Sequence, residues 1–437
     1  MTPEVSGASS AGASQTGKPR GFLGRQVKEI REGGFPVLLR KARWLANDLL
    51  RPAADLLALI LVLVIRALRP LVVIRIGALH SSRIGHYAFD TELYLCQRDA
   101  GLTPRRAVDI FYNAAPVCNQ QLRRMWERTL RVWPYAAVLD RMNRRLPGGQ
   151  AHQVVLRSWE SYSQDMHRLI ALTQPHLRFT PEEERLGREL LRQMGIPEGD
   201  SYVCFHARDS AYLDVSHSGK DWRYHDYRDS DVANFVPAAK ELARRGYHAI
   251  RMGSVVEKSL PHDIPMVIDY ATKCRTDFLD LFLIAHSEFY LGSHCGLFTV
   301  APVFRRPVAL VNVVPIELAP TWAENYLFIP KLLWLRRERR FMTFREIFDS
   351  EAFIYDRSED YENAGIELVE NSAVEIAELA IEMEERLRGA WQTTSEDNEL
   401  QGRFWSVFKH ARNHGPMVSR VGTTFLRRHS NLLPRTQ

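Results

Sequence analysis

The sequence predicts an α/β protein of two Rossmann-like domains facing a cleft, with helical extensions at both ends. Three observations carry this prediction. Short apolar runs, such as Leu71-Val72-Val73-Ile74-Arg75-Ile76-Gly77 and Tyr202-Val203-Cys204-Phe205, read as buried strands. Each run ends in a polar or glycine-bearing turn and then a helical stretch, the grammar of a mostly parallel sheet. That grammar runs twice, over 71–195 and 200–345, and 437 residues are enough for two cores.

In chain order, residues 1–20 are rich in Ser, Ala and Gly and predict a disordered tail. Residues 21–70 are basic and amphipathic, then apolar from Ala53 to Ile65. That apolar run is shorter than the roughly 20 residues a membrane-spanning helix needs. It also carries Asp55 and is closed by Arg66. It reads as a helix lying on, or shallowly inserted in, an anionic membrane surface; a buried core helix is the alternative. After the strand at 71–77, the spacing predicts a helix over Tyr87–Ala100, a strand over Ala107–Tyr112, helices over Cys118–Val132 and Tyr135–Arg145, and a short strand at Gln153–Leu156. Thr180 followed by Pro181 opens a helix to Met194, as N-cap and first helical residue.

In the second half, strands are expected at Tyr202–Phe205, Tyr247–Met252, Met266–Asp269, Phe289–Leu291 and Val308–Asn312. Helices are expected at Asp231–Arg245 and Thr276–His286. Residues 346–437 form a helical section, with an amphipathic helix at Asn371–Arg388 returning to the domain junction.

The formal charge of +6 is unevenly placed, with basic clusters in 18–43, 105–145 and 331–340. Such clusters suit anionic lipid or anionic substrates. No nucleic-acid-binding motif accompanies them. The five cysteines are scattered without a CxxC, which argues against a disulfide framework or a zinc site and for a reducing compartment. The polar N-terminus does not read as a signal peptide. The expectation is a cytoplasmic protein, peripheral at the inner face of a bacterial membrane.

The chemistry concentrates where strands end. After Phe205 the chain turns polar through His206-Ala207-Arg208-Asp209. In an open α/β sheet, ligands bind at the carboxyl ends of the strands. A guanidinium there offers a planar fork that matches phosphate oxygens. The second such place is Gly292-Ser293-His294-Cys295-Gly296, a small-residue turn that opens a helix. Its backbone N–H groups and the Ser293 hydroxyl suit phosphate, and Gly292 and Gly296 allow close approach. A third turn, Arg83-Ile84-Gly85-His86, faces these two from the first domain.

Together with Ile74-Arg75-Ile76-Gly77, His206–Leu213, Gly246–Gly253 and Asp277–Gly296, these stretches resemble a family of bacterial glycosyltransferases of surface-polysaccharide loci. Glu370-Asn371-Ser372 also fits. The second half is similar to O-fucosyltransferase-like enzymes of the GT-B fold. The resemblance implies transfer of a sugar from a nucleotide-sugar donor to a polysaccharide or glycolipid acceptor, without a metal or other cofactor. It implies that His206 and Arg208 grip the donor diphosphate, and it draws Arg251, Gly253, Asp277, Gly292, Ser293 and Gly296 to the donor side. Asp209 stands where that segment usually has a second basic residue, so a GDP-sugar donor does not carry over.

The acceptor hydroxyl needs a base. Asp209, His86, Asp90 and Glu92 are the candidates, and the sequence does not choose among them. Asp229-Ser230-Asp231 has the form of a metal-binding DxD but precedes a helix, where Asp and Ser cap. His217, His225 and Asp226 lack ligand spacing and belong to a polar loop, in which Trp222 and Tyr224 either stack on a ligand or pack down. The rival class is a non-catalytic GT-B-like protein that binds nucleotide or polysaccharide and organises partners at the membrane. A dinucleotide-dependent enzyme is disfavoured, because no GxGxxG follows either first strand.

Overall fold

The computed structural model describes residues 22–104, 106–156, 164–216, 221–261, 264–408 and 414–434. The 1–20 tail and His217 lie outside them.

The first domain opens with α1 (Phe22–Ala67), which is kinked at Gly34 and carries Pro36 and Pro52. Strand β1 (Val73–Leu79) follows, then a π-turn at His86–Asp90 and α2 (Thr91–Asp99). Next come β2 (Ala107–Asn113), α3 (Gln120–Thr129), α4 (Ala136–Arg145) and the short β3 (Gln153–Val154). β1 is the middle strand, parallel to β2 and β3.

The apolar run within α1 is not separate from this body. Ala58 and Val62 are buried in a cluster with Ile76, Ala136, Leu139 and Met142. Asp55 pairs with Arg141, and Arg66 donates to the side chain of Asn143 and to the carbonyls of Asn143, Leu146 and Pro147 at the end of α4. The opposite face of α1 is apolar and exposed: Leu56 is 60% exposed, Ile60 51% and Leu63 53%. The core-helix alternative holds for one face of this run, and the other face is exposed. One face of α1 between Asp55 and Arg66 is packed protein, so this part of the helix is not a detachable anchor.

Helix α5 (Pro181–Gln193) joins the two halves and begins with the expected cap, strengthened by a capping box between Thr180 and Glu183. Gly187 lets it lie flat on the Phe282 ring: a Cβ there would stand 2.1 Å from a ring carbon.

The second domain contains β4 (Tyr202–His206), α6 (Val236–Arg244), β5 (His248–Arg251), β6 (Val267–Ile268), α7 (Asp277–His286), β7 (Tyr290–Ser293), β8 (Val308–Val313) and β9 (Tyr326–Pro330). A small antiparallel sheet of β10 (Leu332–Leu335), β11 (Arg340–Phe341) and β12 (Ile366–Val369) follows. Then come α8 (Ala373–Leu387), α9 (Ser395–Val407) and β13 (Arg420–Val421). The main sheet is parallel, in the order β13-β9-β8-β7-β4-β5-β6. Counted from β4, the six consecutive strands lie 3-2-1-4-5-6, the doubly wound order. The order reverses between β4 and β7, and a ligand crevice forms at such a point.

Helix α8 was expected at the domain junction. It packs instead on α6 and the β8–β9 face of the second sheet. The reason is its apolar stripe of Ile376, Leu379, Ala380 and Met383, which closes that sheet's core.

The domains meet through specific contacts. Gly85 backs onto Gly296 so closely that a Cβ on Gly85 would lie 2.9 Å from the Gly296 Cα. The Asn119 amide donates to the Asp277 carbonyl (2.9 Å) and the Gln120 N–H to the Asp277 carboxylate (2.8 Å). Arg305 reaches across to Glu92 (2.7 Å), which is fully buried. His176 contacts both Glu92 and Asp99. Burial works against its protonation, but Cys96 and the two carboxylates outweigh it and raise the imidazole to about 10. Glu92, Cys96 and His176 are grouped closely enough to suggest a metal. With Arg305 on the carboxylate and a protonated His176, the group is an ion-pair network.

Candidate active site at the switch point

β4 and β7 deliver their polar ends to the same place. The Arg208 N–H donates to Ser293 Oγ at 2.7 Å, so the two sequence signals converge. Ser293 is fully buried, however. Its hydroxyl ties the end of β4 to the end of β7 rather than facing a ligand, which corrects the expectation for its side chain. Gly292 is required by the same approach: a Cβ there would lie 2.7 Å from the His206 carbonyl oxygen.

The Arg208 side chain is 8% exposed and pairs with Asp229. Around it lie two more cations, one buried and one partly exposed. Lys331 is buried and donates to the carbonyls of Tyr227 (3.1 Å) and Asp229 (2.7 Å). Arg228 stacks over Tyr227, and its Nε is buried without a hydrogen-bond partner. The charges oppose one another. Burial first, then Arg228, bring Arg208 down to about 10. Burial and Arg208 bring Lys331 to about 8 against the pull of Glu370. Burial and the same arginines hold His225 near 3, and burial with Arg228 holds His294 near 3, so both rings stay neutral. His225 Nδ1 and His294 Nδ1 are also buried without partners. Such a gathering of positive charge and unpartnered polar atoms suits an anionic ligand.

The loop carrying Arg228 packs down. Trp222 is buried, stacks with His225, and takes Arg83 of the first domain over its ring at 5.6 Å. Asp231 caps the turn at Val232–Phe235, as expected. Asp229 is the partner of Arg208, and Ser230 accepts from Asn312. The Glu370-Asn371-Ser372 stretch supports this floor: Glu370 accepts the Asp231 N–H, Asn371 exchanges hydrogen bonds with Asn312, and Ser372 caps α8.

The structure sorts the remaining expected residues. His206 is half-buried at the mouth and lies 3.5 Å from Cys295. Gly296 is exposed in the turn. Gly253 has φ 149° in the loop beside the His206 ring. Arg251 is 1% exposed and clamps the Lys258 carbonyl and Asp269. Asp277 is used in the domain contact and in pairing with Arg275. These two are structural, a correction to their donor-side expectation. Asp209 accepts from the N–H groups of Ala211 and Glu257, which makes it a loop clamp and a poor base. Glu92 is locked in the ion-pair network.

His86 is different. It follows Gly85, which touches Gly296, so it stands at the seam between the domains. Its Nδ1 lies 3.1 Å from the buried carboxylate of Asp90, with His80 3.6 Å from the same oxygen. A carboxylate behind an imidazole fixes the ring's orientation.

Sequence reasoning missed Arg228 and Lys331. Lys331 was visible only as part of a basic surface cluster, and Arg228 carries no motif.

No model of a known protein family matches the chain, and no curated protein matches it. Several solved structures are similar over part of it. ADP-heptose LPS heptosyltransferase II of E. coli is 15% identical, over 59% of this chain and 90% of its own, at a TM-score of 0.34. A family 9 glycosyl transferase from Veillonella parvula is 10% identical, over 59% and 85%, at 0.37. The E. coli heptosyltransferase WaaC bound to ADP is 10% identical, over 59% and 93%, at 0.31.

Proposed function

We propose that the chain is a glycosyltransferase that binds a nucleotide-sugar donor at the β4–β7 switch point and transfers the sugar to a surface-polysaccharide or glycolipid acceptor. The observation that carries this reading is the trio Arg208, Arg228 and Lys331, two of them buried and Arg228 partly so, with Asp229 the carboxylate in direct contact with Arg208. A diphosphate is a dianionic group of the right size to answer it. As the glycosidic bond breaks, charge grows on the leaving diphosphate, and preorganised donors in a dry site then act most strongly. Side-chain cations supply this charge stabilisation, so the reading is of a metal-independent transferase without a cofactor. His86, oriented by Asp90, takes the proton from the acceptor hydroxyl. The test is release of nucleoside diphosphate from a panel of nucleotide sugars presented with lipid-linked glycans. Binding of nucleotides without any turnover would favour a non-catalytic binding protein.

The same proposal places the protein on the inner face of an anionic bacterial membrane. Its support is the exposed apolar face of α1 together with the basic stretch of 18–43 that runs into it. No helix among the described residues is long and apolar enough to cross a membrane. Removing residues 1–69 would strip packed groups such as Val62 and Arg66, so surface substitutions test the idea more cleanly. The triple variant Leu56→Asp, Ile60→Asp, Leu63→Asp is expected to abolish co-sedimentation with vesicles containing phosphatidylserine while keeping the wild-type melting temperature. Unchanged sedimentation would remove the membrane from the account.

A further inference from the structure

The turn after β7 holds a group that the proposed transfer does not use. Cys295 is half-buried there, beside the exposed Gly296. Its sulfur faces polar groups from two strands. From β4, His206 Nδ1 lies 3.5 Å away. From β7, the Tyr290 hydroxyl lies 3.9 Å away. In the turn that follows, the backbone N–H groups of Leu297 and Phe298 act to lower the thiol. The Arg208 guanidinium adds positive charge nearby, since it and Cys295 interact electrostatically. An imidazole, backbone N–H groups and a nearby cation are surroundings that stabilise a thiolate.

We propose that Cys295 is a nucleophilic thiolate and a site of covalent modification by hydroperoxides and soft electrophiles. In the peroxide reaction the sulfur attacks one peroxide oxygen and the O–O bond breaks. Sulfur is oxidised by two electrons to the sulfenate, and the departing hydroxide takes a proton to become water. With a haloacetamide, sulfur displaces the halide in one step. Neither reaction depends on the chain being a glycosyltransferase.

The other cysteines act as internal controls. Cys96 and Cys204 are buried. Burial pushes Cys118 up to about 12. Cys274 is exposed, yet its thiol is raised, desolvation outweighing Lys273. For Cys295 burial also acts upward, but His206 and the two N–H groups outweigh it and bring the thiol to about 6. Accessibility and nucleophilicity therefore point to different cysteines, which makes the inference easy to overturn.

The experiment is limited alkylation of the full-length protein with iodoacetamide from pH 5 to 9, with each cysteine quantified by peptide mass spectrometry. Cys295 is expected to react with a midpoint near pH 6. At pH 7 it should outpace the exposed Cys274 by about tenfold, after allowing for the lower intrinsic nucleophilicity of an acidic thiol. Dilute hydrogen peroxide followed by dimedone should tag Cys295 ahead of the others. His206→Gln should move the midpoint upward at an unchanged melting temperature; if that variant does not fold, Tyr290→Phe should move it in the same direction. A midpoint at or above about 8.5, the ordinary thiol value, overturns the proposal. So does faster labelling of Cys274, or a folded His206→Gln protein with an unmoved profile.

Discussion

Arg228→Ala is expected to weaken nucleoside diphosphate binding about a hundredfold while leaving the free protein at least as stable as the wild type. Arg228 gains little in the empty site. Its Nε has no partner, and its charge opposes that of Arg208. Removing it relieves that repulsion and orphans no carboxylate. With an anion bound, the same charge becomes an attraction in a poorly hydrated place, where loss of one such donor costs about 3 kcal/mol. Arg208→Ala should behave differently. It loses the same binding, but it also leaves the partly exposed Asp229 carboxylate without its ion-pair partner, so it should lower stability as well. Arg208→Lys should recover part of each loss, because an ammonium cannot reproduce the planar fork. Calorimetric titration and melting temperatures on the same samples separate the two variants. Equal losses of binding and stability in Arg228→Ala would make that residue structural.

Arg305→Ala should give the largest loss of stability of any substitution outside the site. Arg305 donates to Glu92 (2.7 Å), to the Thr173 and Gln174 carbonyls (both 2.9 Å) and to the Val303 carbonyl (2.8 Å). Glu92 is fully buried, and its second oxygen already lacks a partner. Truncation leaves that carboxylate with His176 and the Cys96 thiol, at a cost of about 3–5 kcal/mol. The pair also bridges the domains, so the loss should show as earlier separation of two unfolding steps. Adding Glu92→Gln to Arg305→Ala should return much of the loss, which makes the coupling measurable in a double-mutant cycle. A change under about 1 kcal/mol, the value of an exposed pair, would contradict the role assigned to the bridge.

Much of the second domain was legible because local signals there agree with the global fold. The Tyr202–Phe205 run, the turn at Gly292–Gly296 and the Thr180 cap are short-range patterns, and each became the element it predicts. The Arg208–Ser293 contact was reachable because both residues end strands, and strand ends converge in a parallel sheet. Arg228 and Lys331 were not reachable in this way. They enter the site on a loop and at the start of β10, and only the tertiary fold brings them to Arg208. Arg251 and Asp277 misled for the opposite reason. Each occupies a plausible strand or helix end, but a nearby group, the Lys258 carbonyl or the Gln120 N–H, takes up the charge. The apolar run in α1 was ambiguous in sequence because one helix serves two environments. Ala58 and Val62 face α4, while Leu56 and Ile60 face outward.

The most direct test of the account is calorimetric titration of the full-length protein with UDP, ADP, GDP and dTDP, alongside the matching nucleosides, for wild type and Arg228→Ala. The account predicts that at least one diphosphate binds the wild type, that its nucleoside does not, and that Arg228→Ala loses about a hundredfold in affinity. Failure of every diphosphate to bind, or binding that survives Arg228→Ala unchanged, would contradict it.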